Sequence, residues 1–280
     1  MRKISTLMVS VLCMMMPVGT EAQVPTAFVS KGATDIQAQP HSVTQTNSGA
    51  QLAAIDPMVR SITMDDGLPS NAVRSVVQGS KGYMWFGTDN GLCRFDGYDV
   101  KSYYNPFTTV DQFVSALTAC EEGLLVGCNN GAYLFCNATD RFQKLSDKIT
   151  APVLNFSLDG DQNVWISTNG QGVFRYNRTT HELHQYPMKN IQGKVKSTLV
   201  DANNQVWMLC NQDEASIYHL NKSTDQFEAF PLKGDATMFH GMAMLATPDG
   251  NVYVGTWENG LYKLNADGSA EQLISGCLLY

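Results

Sequence analysis

The chain repeats itself, and the period limits what it can fold into. Five segments share one pattern: MWFGTDNGLCRFD at 84–96, LLVGCNNGAYLFC at 124–136, VWISTNGQGVFRYN at 164–177, VWMLCNQDEASIYHLN at 206–221 and VYVGTWENGLYKLN at 252–265. Anchored at the residue that follows each turn (Leu92, Ala132, Val173, Ile217 and Leu261), the copies recur at 40, 41, 44 and 44 residues. A β-helix needs a much shorter repeat, and a helical solenoid would show a period of about 3.6.

Each copy reads as four short strands. The first is apolar, as in AVRSVVQ, VLNFSLD and HGMAMLAT. A polar turn such as GDQN, ANNQ or PDGN leads to a second strand, which carries Trp85, Leu125, Trp165, Trp207 or Tyr253. An Asn-Gly type turn leads to the third strand (LCRF, AYLF, VFRY, IYHL, LYKL), and a more polar fourth strand closes the unit. Asn, Asp and Gly supply the hairpin geometry. Four antiparallel strands per ~40–45 residues, repeated radially, predict an all-β fold, a β-propeller of four-stranded blades. The inner strands are expected to be buried on both faces and the outer ones to alternate. Gly87, Gly127 and Gly255 are placed where blades crowd, and Gly91, Gly131 and Gly260 in turns with positive φ.

The start of the chain is a different kind of sequence. Arg2 and Lys3 precede an apolar run over 4–18 and a small-residue site at Thr20-Glu21-Ala22. This predicts a signal peptide at 1–22, hence an exported, periplasmic product. The run is short of the ~20 residues that span a bilayer. Residues 23–57, rich in Gln, Ser and Thr, read as a flexible leader. Residues 58–273 hold the repeats, and 274–280 form a truncated tail. Five blades read as an incomplete ring that leaves two apolar blade faces exposed. The stretch at 58–64 reads as a strand without a host blade, free to stay loose or to displace AEQLI at 270–274.

Charge and motifs exclude several functions. The net charge is −7, with 19 basic and 26 acidic residues and no Lys/Arg run, which argues against nucleic acid. The six cysteines beyond position 22 are widely spaced without CxxC, so neither zinc nor redox chemistry is expected. Cys128 and Cys136 would make a disulfide if they face each other across neighbouring strands; otherwise they are buried thiols. HELH at 181–184 lies near an outer strand, where i and i+3 point to opposite faces, so no metal site is read there. No nucleophile elbow, phosphate loop or dinucleotide motif is present, so catalytic residues and cofactors are assigned as none.

Binding residues are sought in the turns after the second strands, which share one end of a propeller with the links between blades. These turns offer Asp89, Asn90, Asn129, Asn130, Asn169, Gln171, Trp257, Glu258 and Asn259. Trp257 stands where other copies have small or polar residues, and an exposed Trp can stack on a sugar ring.

The stretch GLPSNAVRSVVQGSKGYMWFGTDNGLCRFDGYDVKSY at 67–103 resembles the two-component regulator propeller repeat. Leu68, Asn71, Val73, Gly82, Trp85, Gly87, Thr88, Gly91, Leu92 and Phe95 match, and Gly79 replaces the usual Asp. In the fourth copy Leu209 replaces the Gly. The resemblance implies the N-terminal periplasmic sensor part of a hybrid two-component system, whose full-length relatives add further propeller blades, a membrane helix and a histidine kinase. It implies an oligosaccharide ligand, a homodimer when full length, and no catalysis or membrane span within these residues. The alternatives are a propeller lyase or hydrolase, an interaction scaffold, or a non-functional fragment.

Overall fold

A computed structural model of the chain describes residues 61–103, 113–187, 194–211, 217–230, 241–257, 259–266 and 268–276. The signal-peptide and leader assignments fall outside these residues, as do Glu258 and Cys277; of the tail assigned to 274–280 only 274–276 are described, and Ile274 belongs to the last strand of the fifth sheet rather than to a tail. Among the described residues no helix is long and apolar enough to cross a membrane.

Among the described residues twenty strands form five antiparallel sheets, each in simple sequential order. Blade 1 comprises β1 (Val73–Gln78), β2 (Met84–Thr88), β3 (Gly91–Phe95) and β4 (Val100–Tyr103). Blade 2 has β5 (Val114–Ala119), β6 (Gly123–Cys128), β7 (Gly131–Cys136) and β8 (Arg141–Lys144). Blade 3 has β9 (Val153–Leu158), β10 (Asn163–Thr168), β11 (Gly172–Asn177) and β12 (Leu183–Tyr186). Blade 4 has β13 (Lys194–Val200), β14 (Val206–Asn211), β15 (Ile217–Asn221) and β16 (Gln226–Ala229). Blade 5 has β17 (Gly241–Ala246), β18 (Val252–Thr256), β19 (Leu261–Leu264) and β20 (Ala270–Ile274).

The second-strand residues are equivalent in register. Trp85, Leu125, Trp165, Trp207 and Tyr253 pair with Arg94, Leu134, Arg175, His219 and Lys263 of the third strands. Each of the first four packs into a cluster shared with the next blade: Trp85 with Val114 and Leu117, Leu125 with Val153 and Phe156, Trp165 with Val195 and Met208, Trp207 with Val252 and Val254. The blades are therefore stapled in sequence by one large side chain apiece.

The most buried strands are the second and third, not the first. The second strand β6 is buried along its whole length, whereas β1 is half-buried or exposed throughout. In blades 1 to 4 the second and third strands are paired on both edges and covered on both faces. The first strand has one edge turned to the propeller axis. Neighbouring first strands are bridged there by side chains: Ser75 Oγ accepts from Leu117 N at 3.1 Å, Ser157 Oγ donates to Thr198 O at 2.7 Å, and Asn155 Oδ1 accepts from Thr198 N at 2.9 Å. These bonds explain the Ser, Thr and Asn scattered through otherwise apolar first strands. Each first strand also carries a register shift near its start, at Arg74, Ser115, Leu154, Lys196 and Met242.

Leu209 in place of Gly has a partner. A Cβ on Gly87 or Gly127 would lie 2.7 Å from a methyl of Val114 or Val153 at the head of the next first strand. Between blades 4 and 5 the sizes are exchanged. Gly241 occupies the head position, and a Cβ there would lie 2.5 Å from Leu209 Cδ1. Total volume across the contact is kept, which is what a close-packed interior tolerates.

The blade succession runs β1, β5, β9, β13, β17 and does not return with comparable packing to β1. One expected exposed face is in fact covered. Phe86, Cys93 and Phe95 on the free side of blade 1 are buried under Ile62 and Leu68. The segment holding these two contains a 3-10 turn at Met64–Asp66, capped by Thr63 and Asp66, rather than a strand. It is thus not loose, and β20 keeps its place in blade 5. The other free face remains uncovered among the described residues. Leu92, Ala132, Val173 and Ile217 are 0% exposed. Their equivalent Leu261 is only partly buried, as is Tyr253, and Leu273 is 45% exposed.

The cysteines correct one reading. Cys128 pairs with Gly131 and Cys136 with Gly123, so they sit at opposite ends of one hairpin and do not face each other. Cys93, Cys120, Cys128, Cys136 and Cys210 are in no disulfide. Burial pushes the Cys93 thiol up to about 12 and the Cys120 thiol to about 11, which holds both protonated and unreactive.

Candidate functional site

The turns after the second strands gather at the end where the first strands begin. Asp89 N donates to Ala72 O at 3.1 Å and Asn169 N to Pro152 O at 2.8 Å, tying two turns to the links into blades 1 and 3. The Thr of this motif closes its own turn. Thr88, Thr168 and Thr256 are buried, and their hydroxyls donate to Gly91, Gly172 and Gly260 carbonyls at 2.8, 2.7 and 2.8 Å.

Several candidate residues prove to hold the scaffold. Gln171 is fully engaged: Oε1 accepts from Thr150 N and Ala151 N at 2.9 and 2.8 Å, and Nε2 donates to Lys148 O at 3.1 Å. Asp89 forms a bidentate pair with Arg74, with Nε–Oδ1 2.5 Å and Nη2–Oδ2 2.8 Å. Asn90 Nδ2 donates to Pro69 O at 3.4 Å, and Asn130 Oδ1 accepts from Tyr133 OH at 3.2 Å. The outward-facing members are Asn90, Asn169, Trp257, 38% exposed, and Asn259, whose backbone atoms bond Thr256 Oγ1 and Gln272 Nε2. Asn129 is half-buried. The eight described candidates thus share one end of the fold but come from four blades.

Near the same end, on the first strands, Lys196 Nζ lies 2.7 Å from Met242 Sδ, the equivalent residue of the next blade. Burial lowers its pKa.

The opposite end carries features that turn motifs alone did not single out. Asp159 Oδ2 accepts the indole N–H of Trp165 at 2.8 Å, and Asp201 Oδ2 that of Trp207 at 2.9 Å. In blade 1 the corresponding residue is Gly79, and a Cβ there would lie 2.8 Å from Trp85 Nε1. The indole occupies the room an Asp would need, which accounts for that departure from the repeat. Between blades 3 and 4, Arg175 donates to both carboxylate oxygens of Asp225 at 2.9 and 3.2 Å, and Tyr186 OH donates to Asp225 Oδ1 at 2.7 Å. The guanidinium also lies 5.7 Å from the Trp165 ring and 5.6 Å from that of Tyr186. The signal for this cluster was present as a basic residue at one third-strand position in four of the five copies: Arg94, Arg175, His219 and Lys263. Two adjoining concavities of about 120 and 530 Å³ open beside it, sharing Asn163 and Arg175. His181 is bonded to Tyr176 OH, and His184 meets the Tyr186 ring edge-on at 4.6 Å. Among the described residues no His, Cys, Asp and Glu group has metal-ligand geometry.

Burial works to raise the Asp225 carboxyl, but the bonds from Tyr186 and Arg175 outweigh it and hold it below the ordinary carboxylate range. A depressed folded pKa contributes stability above the unfolded pKa and loses it as pH falls through the folded one. Urea midpoints measured from pH 7 to pH 3 are therefore expected to fall less steeply for Asp225→Asn than for the wild type. Parallel curves would show that the latch is energetically silent.

Comparison with known proteins places this geometry. Residues 67–90 match the two-component regulator propeller family. No curated protein matches the chain. The extracellular domain of a hybrid two-component system of B. thetaiotaomicron superposes with a TM-score of 0.63 at 17% identity, over 78% of this chain and 32% of its own. A second such domain from the same organism gives 0.62 at 19% identity, over 73% and 28%. Virginiamycin B lyase from Staphylococcus aureus gives 0.58 at 16% identity, over 73% and 71%. The chain spans about a third or less of the two-component domains it resembles. At these identities the likeness is one of fold, the β-propeller.

Proposed function

We propose that this chain is an exported, ligand-sensing propeller segment of a two-component signalling receptor, that its ligand is an oligosaccharide, and that it performs no catalysis itself. The two-component regulator propeller repeat at 67–90 carries the reading. The shared architecture with extracellular domains of hybrid two-component systems supports it. The ligand contacts would lie on the end that bears Trp257, with its ring stacked on a sugar and Asn129, Asn130, Asn169 and Asn259 bonding hydroxyls. Arg74, beside the first of these turns, is paired with Asp89 and so is not free to hold a phosphate, which suits an uncharged ligand.

Calorimetry with a panel of neutral oligosaccharides tests the reading. Trp257→Ala is expected to weaken binding by roughly 1–3 kcal/mol, the scale of burying one aromatic side chain, with the fold unchanged. Equal affinities would remove Trp257 from the site. The likeness to a lyase propeller favours an enzymatic alternative, and turnover of any sugar in the panel would favour it over sensing.

A further inference from the structure

The boundary between blades 3 and 4 holds a hollow that the repeat does not require, because between blades 1 and 2 a tyrosine ring stands at the equivalent place. Blades 1 and 3 present one stack to their neighbours. Trp85 and Tyr103 lie 5.4 Å apart at 32°, and Trp165 and Tyr186 lie 5.4 Å apart at 33°. Arg94 pairs in register with Trp85, and Arg175 with Trp165. Two residues before the Trp the blades differ. Blade 1 has Tyr83, whose ring centre lies 4.2 Å from the Arg94 guanidinium carbon. Blade 3 has Asn163, whose side chain is drawn aside by bonds to Asp159 Oδ2 and Asn177 Nδ2, both 2.9 Å. The room a ring would fill is left open, and both lobes of the concavity meet at Asn163 and Arg175.

We propose that this groove is a binding site for a neutral, polyhydroxylated ligand, a saccharide unit held apart from the Trp257 end. In its ligand class the proposal rests on the sensing reading above; in its place it rests on the groove alone. The larger lobe, about 530 Å³, falls within the ~300–1,000 Å³ of small-ligand sites. Its walls bear Arg175, Asn177, Glu182 and His184, a mixture of donors and acceptors on one face of blade 3. Arg175 is paired with Asp225, Asp159 accepts from Trp165, Asn163 and the Asp161 N–H, and Asp161 accepts from Asn204. With Glu182 and Lys222 the two lobes carry more carboxylates than cations. An anionic ligand meets that excess and a cationic one would compete with Arg175 for Asp225, whereas hydroxyl groups bond to either sign.

Tryptophan indole resonances read the site directly. The chain has four Trp, and the Trp165 N–H is bonded to Asp159 on the groove wall, while Trp257 marks the other end. The full chain is titrated with neutral hexose oligosaccharides, α- and β-linked. The Trp165 signal is expected to shift with saturation, and Asn163→Tyr, which installs the residue blade 1 already uses, is expected to weaken binding at least tenfold. A shift confined to Trp257, or undiminished binding by a folded Asn163→Tyr variant, would overturn the groove and leave the sensing reading standing. No shift of either indole with any sugar would overturn both. If Asn163→Tyr does not fold, the wild-type Trp165 shift alone decides.

Discussion

Trp165→Ala is expected to cost about 3–5 kcal/mol, the range of large-to-small aromatic truncations in a core. The residue is 1% exposed, stacks on Tyr186 and donates to Asp159. It is also the staple by which blade 3 enters the cluster of blade 4. A domain has only about 5–15 kcal/mol of stability in all, so much of the structure should be lost. The internal control is Tyr253→Ala. Tyr253 occupies the equivalent register but has no following blade among the described residues and is only half-buried, so its truncation should cost at most about 1 kcal/mol, nearer the ~0.5 kcal/mol of surface changes than the cost of a core truncation. Denaturant midpoints give both values. Equal costs would mean that blade succession is not what buries these side chains.

The second large effect concerns the size exchange at Leu209 and Gly241. Leu209→Gly alone leaves a cavity and is expected to cost at least the ~2–5 kcal/mol of Leu→Ala changes. Gly241→Val alone places a Cβ 2.5 Å from Leu209 Cδ1 and is expected to cost about 1–3 kcal/mol by overpacking. The double variant restores the arrangement of blades 1 and 2, where Gly87 and Gly127 face Val114 and Val153. It should therefore be less damaging than the sum of the single changes by at least about 1 kcal/mol, a coupling within reach of a double-mutant cycle. Additivity would mean that the two positions do not share one contact.

That exchange shows which parts of the protein were legible. Leu209 read as a defect in the fourth repeat, because the partner that explains it lies 32 residues later in another blade. Blade number, strand order and the second-strand row were legible because every copy must solve the same packing problem, and repetition makes the solution visible. The turn residues show the opposite. Gln171 and Asp89 are polar, sit in a turn and look free to bind. Yet one ties down the link between blades 2 and 3, and the other neutralises Arg74. A turn sequence does not say whether its polar groups are spent on the backbone. The groove was hidden for a related reason. Its mark is Asn163 where another copy has Tyr83, and such a difference has meaning only once the two positions are known to be equivalent.

Hydroxyl-radical footprinting of the second-strand row, resolved by mass spectrometry, tests most directly whether successive blades bury one another along an unclosed series. Trp85, Trp165 and Trp207, at 3%, 1% and 9% exposure, should be protected until global unfolding. Tyr253 and Trp257 should label in the native protein. Protection of Tyr253 equal to that of Trp85, or labelling of Trp165 in the folded chain, would contradict the account.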